Sequence, residues 1–264
     1  MRLDAALVAR GLCESRTGAQ KAIQQGRVEI IRLSEANRRR VEKSSFEVGD
    51  LDQVFLQSSD HDQFVSRGAL KLLGAFEETG LSPLDLTCLD VGQSTGGFTD
   101  LLLQQGAKRV LGLDVGSDQL HPRLRKHPDT LCIEGFNARQ CTLSELSSRV
   151  EQSGKPQELW CPPLGFDLIV ADVSFISLLK VSACLQALMK SDGHGLWLVK
   201  PQFEVGKRLI GKGGLVKPEA LGPNFEKTIT GELQAQNFVV KRFFSSPITG
   251  GDGNQEFFVW VSPA

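Results

Sequence analysis

The sequence predicts an α/β protein: a doubly wound, mostly parallel sheet preceded by a small α+β unit. Three observations carry that prediction. Beyond residue 64, short apolar strands alternate with helical stretches, the pattern of successive βαβ units. One strand–helix junction, LDVGQSTGGFTD at 89–100, holds three glycines. Charge is also uneven. Residues 1–45 carry ten Lys/Arg against five Asp/Glu, and the remainder twenty against twenty-six. A basic head on an acidic body marks either a nucleic-acid contact surface or a solvated face, and charge alone does not choose.

At 264 residues, 41% hydrophobic and 23% charged, the chain suits one large domain with an appendage. No uncharged apolar run approaches the roughly 18 residues of a membrane helix. Asp4 stands where a signal peptide would be apolar, so a cytoplasmic location is expected. The six cysteines (13, 88, 132, 141, 161, 184) show no CxxC spacing, and several fall in apolar runs. That suits reduced thiols, with neither disulfides nor a metal site.

In chain order, Leu3, Ala6, Leu7 and Leu12 give a short amphipathic helix closed by Gly11. Ser15 caps a second helix with Ala19, Ala22 and Ile23 on one face and Gly26 at its end. Val28 to Leu33 starts a strand. The exposed side of the helix pair shows Arg2, Arg10, Arg16, Lys21 and Arg27, a face able to track phosphates on structured RNA. A polar stretch follows and reads as the linker, giving domains 1–57 and 66–264 with 58–65 between; His61 is a solvated linker residue.

Ser66 to Glu78 reads as an amphipathic helix. Strands are expected at 85–91, 109–115, 130–134, 166–173, 194–200, 238–245 and 254–262, and helices at 98–105, 117–126, 141–151 and 176–189. The last two strands form an antiparallel pair. In such sheets ligands bind at the carboxyl ends of the strands.

Asp90 closes the first of these strands with a carboxylate aimed into the turn formed by Gly92, Ser94, Gly96, Gly97 and Phe98. A pyrophosphate-binding glycine loop has no use for an acid there, whereas a cationic ligand such as S-adenosylmethionine does. The plainer reading is a turn that favours Gly, Ser and Asp. Asp114 ends the second strand, where an acid can accept both hydroxyls of a nucleoside ribose. Asn137 in FNAR either reads an adenine amino group or caps a turn. Asp172, Lys200 and Glu256 each stand at the end of an apolar strand. A lysine at such a place needs carboxylates to offset its burial, so the group is either a stabilising ion cluster or a site. The loop at 204–220, with Lys207, Arg208, Lys212 and Lys217 among four glycines, reads as a flexible basic flap over an RNA backbone or as a solvated loop. Phe203 packs in the loop or stacks on a base. His121, His127 and His194 read as surface or turn residues.

Several motifs then carry a family resemblance. RLDAALVARGL and SRTGAQKAIQQGRV resemble the small RNA-binding module of the S-four ribosomal protein, with a longer segment, IIRLSEANRRRVE, in place of that module's tight hairpin turn. Lys71 in VSRGALKL, DVGQSTGGFTD, GLDVGSDQL, NAR, ADVSFISL, VKPQFE and SPITGGDGNQEFF resemble the TlyA or haemolysin-A family of rRNA ribose 2′-O-methyltransferases, whose catalytic domain is FtsJ-like. The resemblance covers nearly the whole chain; Gln93 and Ala69 depart from its pattern. It implies a class I methyltransferase (Rossmann-like) seven-stranded sheet, S-adenosylmethionine as cofactor, ribosomal RNA as partner and a cytidine as target. It also implies a catalytic tetrad of Lys71, Asp172, Lys200 and Glu256. Asp90, Gly92, Ser94, Gly96, Gly97, Phe98, Asp114, Asn137 and Asp172 then bind cofactor. Free lysine, with a pKa of about 10.4, is no base at pH 7. A neighbouring cation and desolvation lower that value, and carboxylates raise it. The competing readings are a catalytically silent RNA-binding protein, a haemolysin, which needs a membrane-inserting segment, and, more remotely, a nicotinamide dehydrogenase, which Asp90 disfavours.

Overall fold

The structure is a computed structural model in which residues 1–13, 15–33, 35, 37–57 and 63–264 are described. His61 and most of the expected linker lie outside the described residues, as do Ser34 and Ala36 of the long hairpin segment. The chain divides into two compact units, Met1–Gln63 and Phe64–Ala264.

In the first unit the spacing of Leu3, Ala6 and Leu7 produces α1 (Leu3–Ala9), and all three are buried. Gly11 ends it at φ 70°. Ser15 Oγ accepts a hydrogen bond from the Gly18 amide (3.1 Å) and so caps α2 (Arg16–Gln24). β1 (Val28–Ile31), two residues shorter than expected, pairs antiparallel with both β2 (Arg39–Arg40) and β3 (Gln53–Leu56), making a three-stranded sheet.

Asp4 is fully buried, although nothing in its local sequence marks it as a core residue. Its carboxylate accepts hydrogen bonds from Arg2 (3.1 and 3.0 Å), Arg16 (3.1 Å) and Gln20 (2.9 Å). Arg2 and Arg16 therefore lie partly against an acid instead of standing free on the surface. Arg10 is likewise engaged, donating to the Asp52 and Gly49 carbonyls at 2.6 and 3.0 Å, and Arg27 donates to Gln25 and to the Gln57 carbonyl. Lys21 is exposed.

The second unit runs α3 (Gly68–Thr79), β4 (Thr87–Val91), α4 (Gly97–Gln104), β5 (Arg109–Leu113), α5 (Pro122–Arg125) and β6 (Thr130–Ile133). It continues through α6 (Leu143–Gln152), α7 (Gln157–Trp160), β7 (Phe166–Ala171), α8 (Ser182–Ala187) and β8 (Met189–Val199). It closes with α9 (Pro201–Glu204), α10 (Pro223–Ala235), β9 (Phe238–Ser245) and β10 (Phe257–Pro263). The seven strands order as β6-β5-β4-β7-β8-β10-β9, with β10 antiparallel to both neighbours. This is the expected sheet. One face packs on α3 and α4 around Leu72, Leu101 and Phe258, and the other buries Leu89, Trp197 and Ile169.

Where elements differ, the cause is local. The helix expected at 117–126 shrinks to α5, because Asp118 is left-handed (φ 57°) and Pro122 fits a first helical turn. The helix expected at 176–189 splits into a 3₁₀ turn, Leu178–Lys180, and α8. β8 extends back to Met189, but an irregularity separates its first residues from the ladder that resumes at His194. His194 is thus a strand residue, half-buried and edge-on to Trp260, and burial lowers its pKa. The unforeseen α10 buries Phe225, Ile229 and Leu233 and fills the crossover between β8 and β9.

Hydrogen bonds from Arg2, then Gln20, hold the Asp4 pKa well below the usual carboxylate range. Stability that depends on ionised Asp4 is present above its unfolded pKa and is lost as pH falls through the depressed folded value. In full-length protein, hydrogen-exchange protection of α1 and α2 is expected to decline below about pH 4. Asp4→Asn should start lower and lose this acid-dependent decline.

Candidate active site

The loops after β4, β5, β6 and β7 enclose a cleft of about 400 Å³, lined among others by Gly92, Ser94, Asp114, Asn137, Asp172 and Phe175. A smaller cavity of about 120 Å³ adjoins the glycine turn, with Asp90, Gly92, Gly97 and Asp172 in its wall. Both lie where strand carboxyl ends open the sheet.

Asp90 is completely buried at the end of β4. Its Oδ2 accepts from the Thr99 amide (3.0 Å) and hydroxyl (2.7 Å), so it caps the first turn of α4 from outside the helix. Its Oδ1 is buried with no hydrogen-bond partner. Burial pushes the Asp90 pKa up to about 7; the Thr99 bonds oppose the rise, and the charges of Asp172 and Asp114 add to it. Gln93, the departure in this turn, is buried and donates to Thr99 Oγ1 (2.8 Å). It fits because residue 112 is glycine: a Cβ there would lie 2.0 Å from the Gln93 side chain.

The glycines of this turn are also required by close packing of protein groups. A Cβ on Gly92 (φ 83°) would stand 2.5 Å from the Asp172 carbonyl oxygen, and one on Gly97 2.2 Å from Ser66 Oγ. Gly96 (φ 92°) has Leu124 and Leu120 over it. The Phe98 ring belongs to the core, stacked 6.3 Å from Phe258.

Asp114, which lines the cleft, receives two backbone amides, Ser94 N at 2.6 Å and Gly116 N at 2.7 Å, and each oxygen keeps further accepting capacity. Asn137 does cap a turn, accepting from the Arg139 amide (3.1 Å), and it also lines the cleft.

The four ionisable groups at strand and helix ends meet. Lys71 Nζ, from α3, is 2.6 Å from Glu256 Oε2 and 3.8 Å from Asp172 Oδ2. Lys200 Nζ, just past β8, is 2.5 Å from Asp172 Oδ1 and donates to Ser174 Oγ at 2.7 Å. Lys71, Lys200 and Glu256 are buried, and Asp172 keeps 22% of its side chain exposed. Two cations and two anions sum to zero, the arrangement that makes burial of such groups bearable. The carboxylates make close ion contacts, with Asp172 Oδ1 and Glu256 Oε2 lacking directed hydrogen bonds.

Three neighbours escaped the sequence reading. Phe175 is 92% exposed, holds a left-handed backbone (φ 64°) and places its ring 5.6 Å from that of Phe203. An aromatic residue just past a strand end, among polar residues, is the signal that could have found it. Glu204 accepts from Ser177 Oγ and Leu178 N, each at 2.6 Å, bracing the segment after β8 against that after β7. Asn254 accepts from Val216 N (2.8 Å) and donates to the Gly214 carbonyl (3.1 Å). The basic loop carries local structure of its own, an Ile210–Val216 bridge and three 3₁₀ turns. Lys207, Arg208 and Lys212 are exposed on it. Among the described residues no cluster of three metal-ligating side chains occurs.

An FtsJ-like methyltransferase family model matches residues 64–262, and an S4 domain model residues 1–54. The chain belongs to the FtsJ-like methyltransferase family. It is 37% identical to the 16S/23S rRNA (cytidine-2′-O)-methyltransferase TlyA of Mycobacterium tuberculosis over 260 residues, 98% of this chain and 89% of the relative. Hemolysin A of Brachyspira hyodysenteriae is 33% identical across 97% of this chain and 98% of its own. A solved structure described as a hemolysin from Streptococcus thermophilus superposes with a TM-score of 0.71 at 32% identity, covering all of this chain and 88% of that one. These relatives place the methyltransferase within the TlyA group. Among its described residues no helix is long and apolar enough to cross a membrane.

Because the Asp90 pKa is raised on folding, the folded state holds a proton that the unfolded state releases between about pH 4 and 7. Stability is therefore expected to fall as pH rises across that window and to level off above it. In Asp90→Asn this component of the slope should vanish, as read from urea midpoints at several pH values.

Proposed function

We propose that this methyltransferase transfers a methyl group from S-adenosylmethionine to a ribose 2′-hydroxyl of ribosomal RNA, a cytidine by the likeness to its relatives. The observation that carries the reading is the buried Lys71–Glu256 and Asp172–Lys200 cluster beside a cleft whose glycine turn holds an unpartnered carboxylate oxygen.

The residues present fit the cofactor. Asp90 Oδ1, buried and unpartnered, suits a cationic amino group at the glycine turn. Asp114 has lone pairs left for ribose hydroxyls, and Asn137 lines the same cleft with a side-chain amide suited to an adenine edge. S-adenosylmethionine, when bound, supplies an electrophilic methyl group on a sulfonium sulfur. The chain's own work is to hold the ribose in line and to manage one proton. Lys200 takes or steers the proton lost from the 2′-oxygen, Asp172 orients Lys200, and Lys71 with Glu256 fixes Asp172. The exposed ring of Phe175 offers a stacking surface for the target base. Phosphates are met by Lys207, Arg208 and Lys212, and by Arg2, Arg10, Arg16, Lys21 and Arg27 in the S4 domain. Arg2 and Arg16 then act as cations held in place by Asp4.

Two measurements test this. Ribose methylation mapped across ribosomal RNA, from cells with and without the protein, should differ by loss of a 2′-O-methyl at a defined site. With that RNA in vitro, Lys200→Ala and Lys200→Arg should each slow methyl transfer by about 100-fold or more; near-normal rates in both remove the lysine from the chemistry. Calorimetry adds a pH test. Because a cationic ligand favours ionised Asp90, cofactor binding at pH 6 should release a proton, and affinity should climb until about pH 7.

A further inference from the structure

Lys200 is buried and does not line the cleft, whereas two of its neighbours, Asp172 and Ser174, do. Asp172 and Ser174 thus stand both in the cleft wall and against Lys200, which makes them the two candidates to pass on a proton from a ribose there. Asp172 is a poor carrier: it lies against both Lys200 and Lys71, and a neutral acid would forfeit both ion pairs. Ser174 carries no charge, is exposed, and its Oγ accepts from Lys200 Nζ at 2.7 Å. A hydroxyl both accepts from an ammonium and donates to a neutral amine, which a carboxylate cannot do. Its place is also braced, since Glu204 anchors Ser177 and Leu178 a few residues on.

Resting on the ribose methylation reading, we propose that Ser174 is a catalytic residue, the relay through which the 2′-hydroxyl proton reaches Lys200. Lys200 enters the step as a neutral amine, having first released one ammonium proton to solvent; the ribose oxygen then gives its proton to Ser174 Oγ while the serine's own proton passes to the Lys200 amine, which restores the ammonium of the resting cluster. The serine is regenerated in the same event. The ribose oxygen carries its freed electron pair into the new bond to the methyl carbon, and the carbon–sulfur pair leaves on sulfur. Lys71, Asp172 and Glu256 face this lysine and keep their charges throughout.

The test compares Ser174→Thr, which keeps the hydroxyl, with Ser174→Val, which has nearly the same shape without it. Full-length protein is assayed on ribosomal RNA in single turnovers, with a proton inventory in mixed H₂O and D₂O. Cofactor and RNA affinities are measured separately. The valine variant should bind both ligands as the wild type does, methylate about 30-fold more slowly or worse, and show one proton in flight where the wild type shows two. The threonine variant should keep most of the rate and the two-proton curve. An active wild type matched in rate by the valine variant overturns the relay alone, as does a threonine variant as slow as valine. A wild type that leaves every ribose unmethylated overturns the methylation reading and the relay with it.

Discussion

Two ammonium groups and two carboxylates leave water together at the carboxyl edge of the sheet, and the rest of the site depends on their balance. Burying any one alone would cost several kcal/mol, and removing a partner from such a set leaves an uncompensated charge. The topology solves this by bringing Lys71 from a helix, Asp172 and Lys200 from neighbouring parallel strands, and Glu256 from the start of the antiparallel strand inserted next to β8. Glu256 reaches the cluster because β10 runs against β8, with Phe257 opposite Val199. A parallel strand in that place would put its first residues at the far edge.

The same edge holds a second, unbalanced charge site. Asp90 spends one oxygen on capping α4 and leaves the other buried and unmet. An interior carboxylate in that condition is destabilising for the fold, and such a cost is commonly retained where a ligand repays it.

Much of this was legible in the sequence because it rests on alternation. Strand ends were marked by an ionisable residue interrupting an apolar run, which is how Asp90, Asp114, Asp172, Lys200 and Glu256 stood out, and a parallel sheet with a final antiparallel pair follows from the βαβ pattern. What was not legible depends on which atoms meet across the fold. Nothing local says that Gly92 faces the Asp172 carbonyl, that Asp114 is half-occupied by backbone amides, or that Asp4 is buried beneath two arginines. Helix α10 was missed for another reason: Gly222 and Pro223 sit beside a glycine-rich loop, so its start was absorbed into that loop, although Phe225, Ile229 and Leu233 keep helical spacing.

The Asn254 side chain, two residues before Glu256, holds the backbone of the basic loop at Val216 and Gly214. A pull on that loop is thereby transmitted to the same short stretch of chain that sets the glutamate. The basic loop and the acid that anchors Lys71 thus share one point of attachment. Any displacement of the loop at Val216 or Gly214 therefore acts two residues from Glu256, at the border of the ionic quartet.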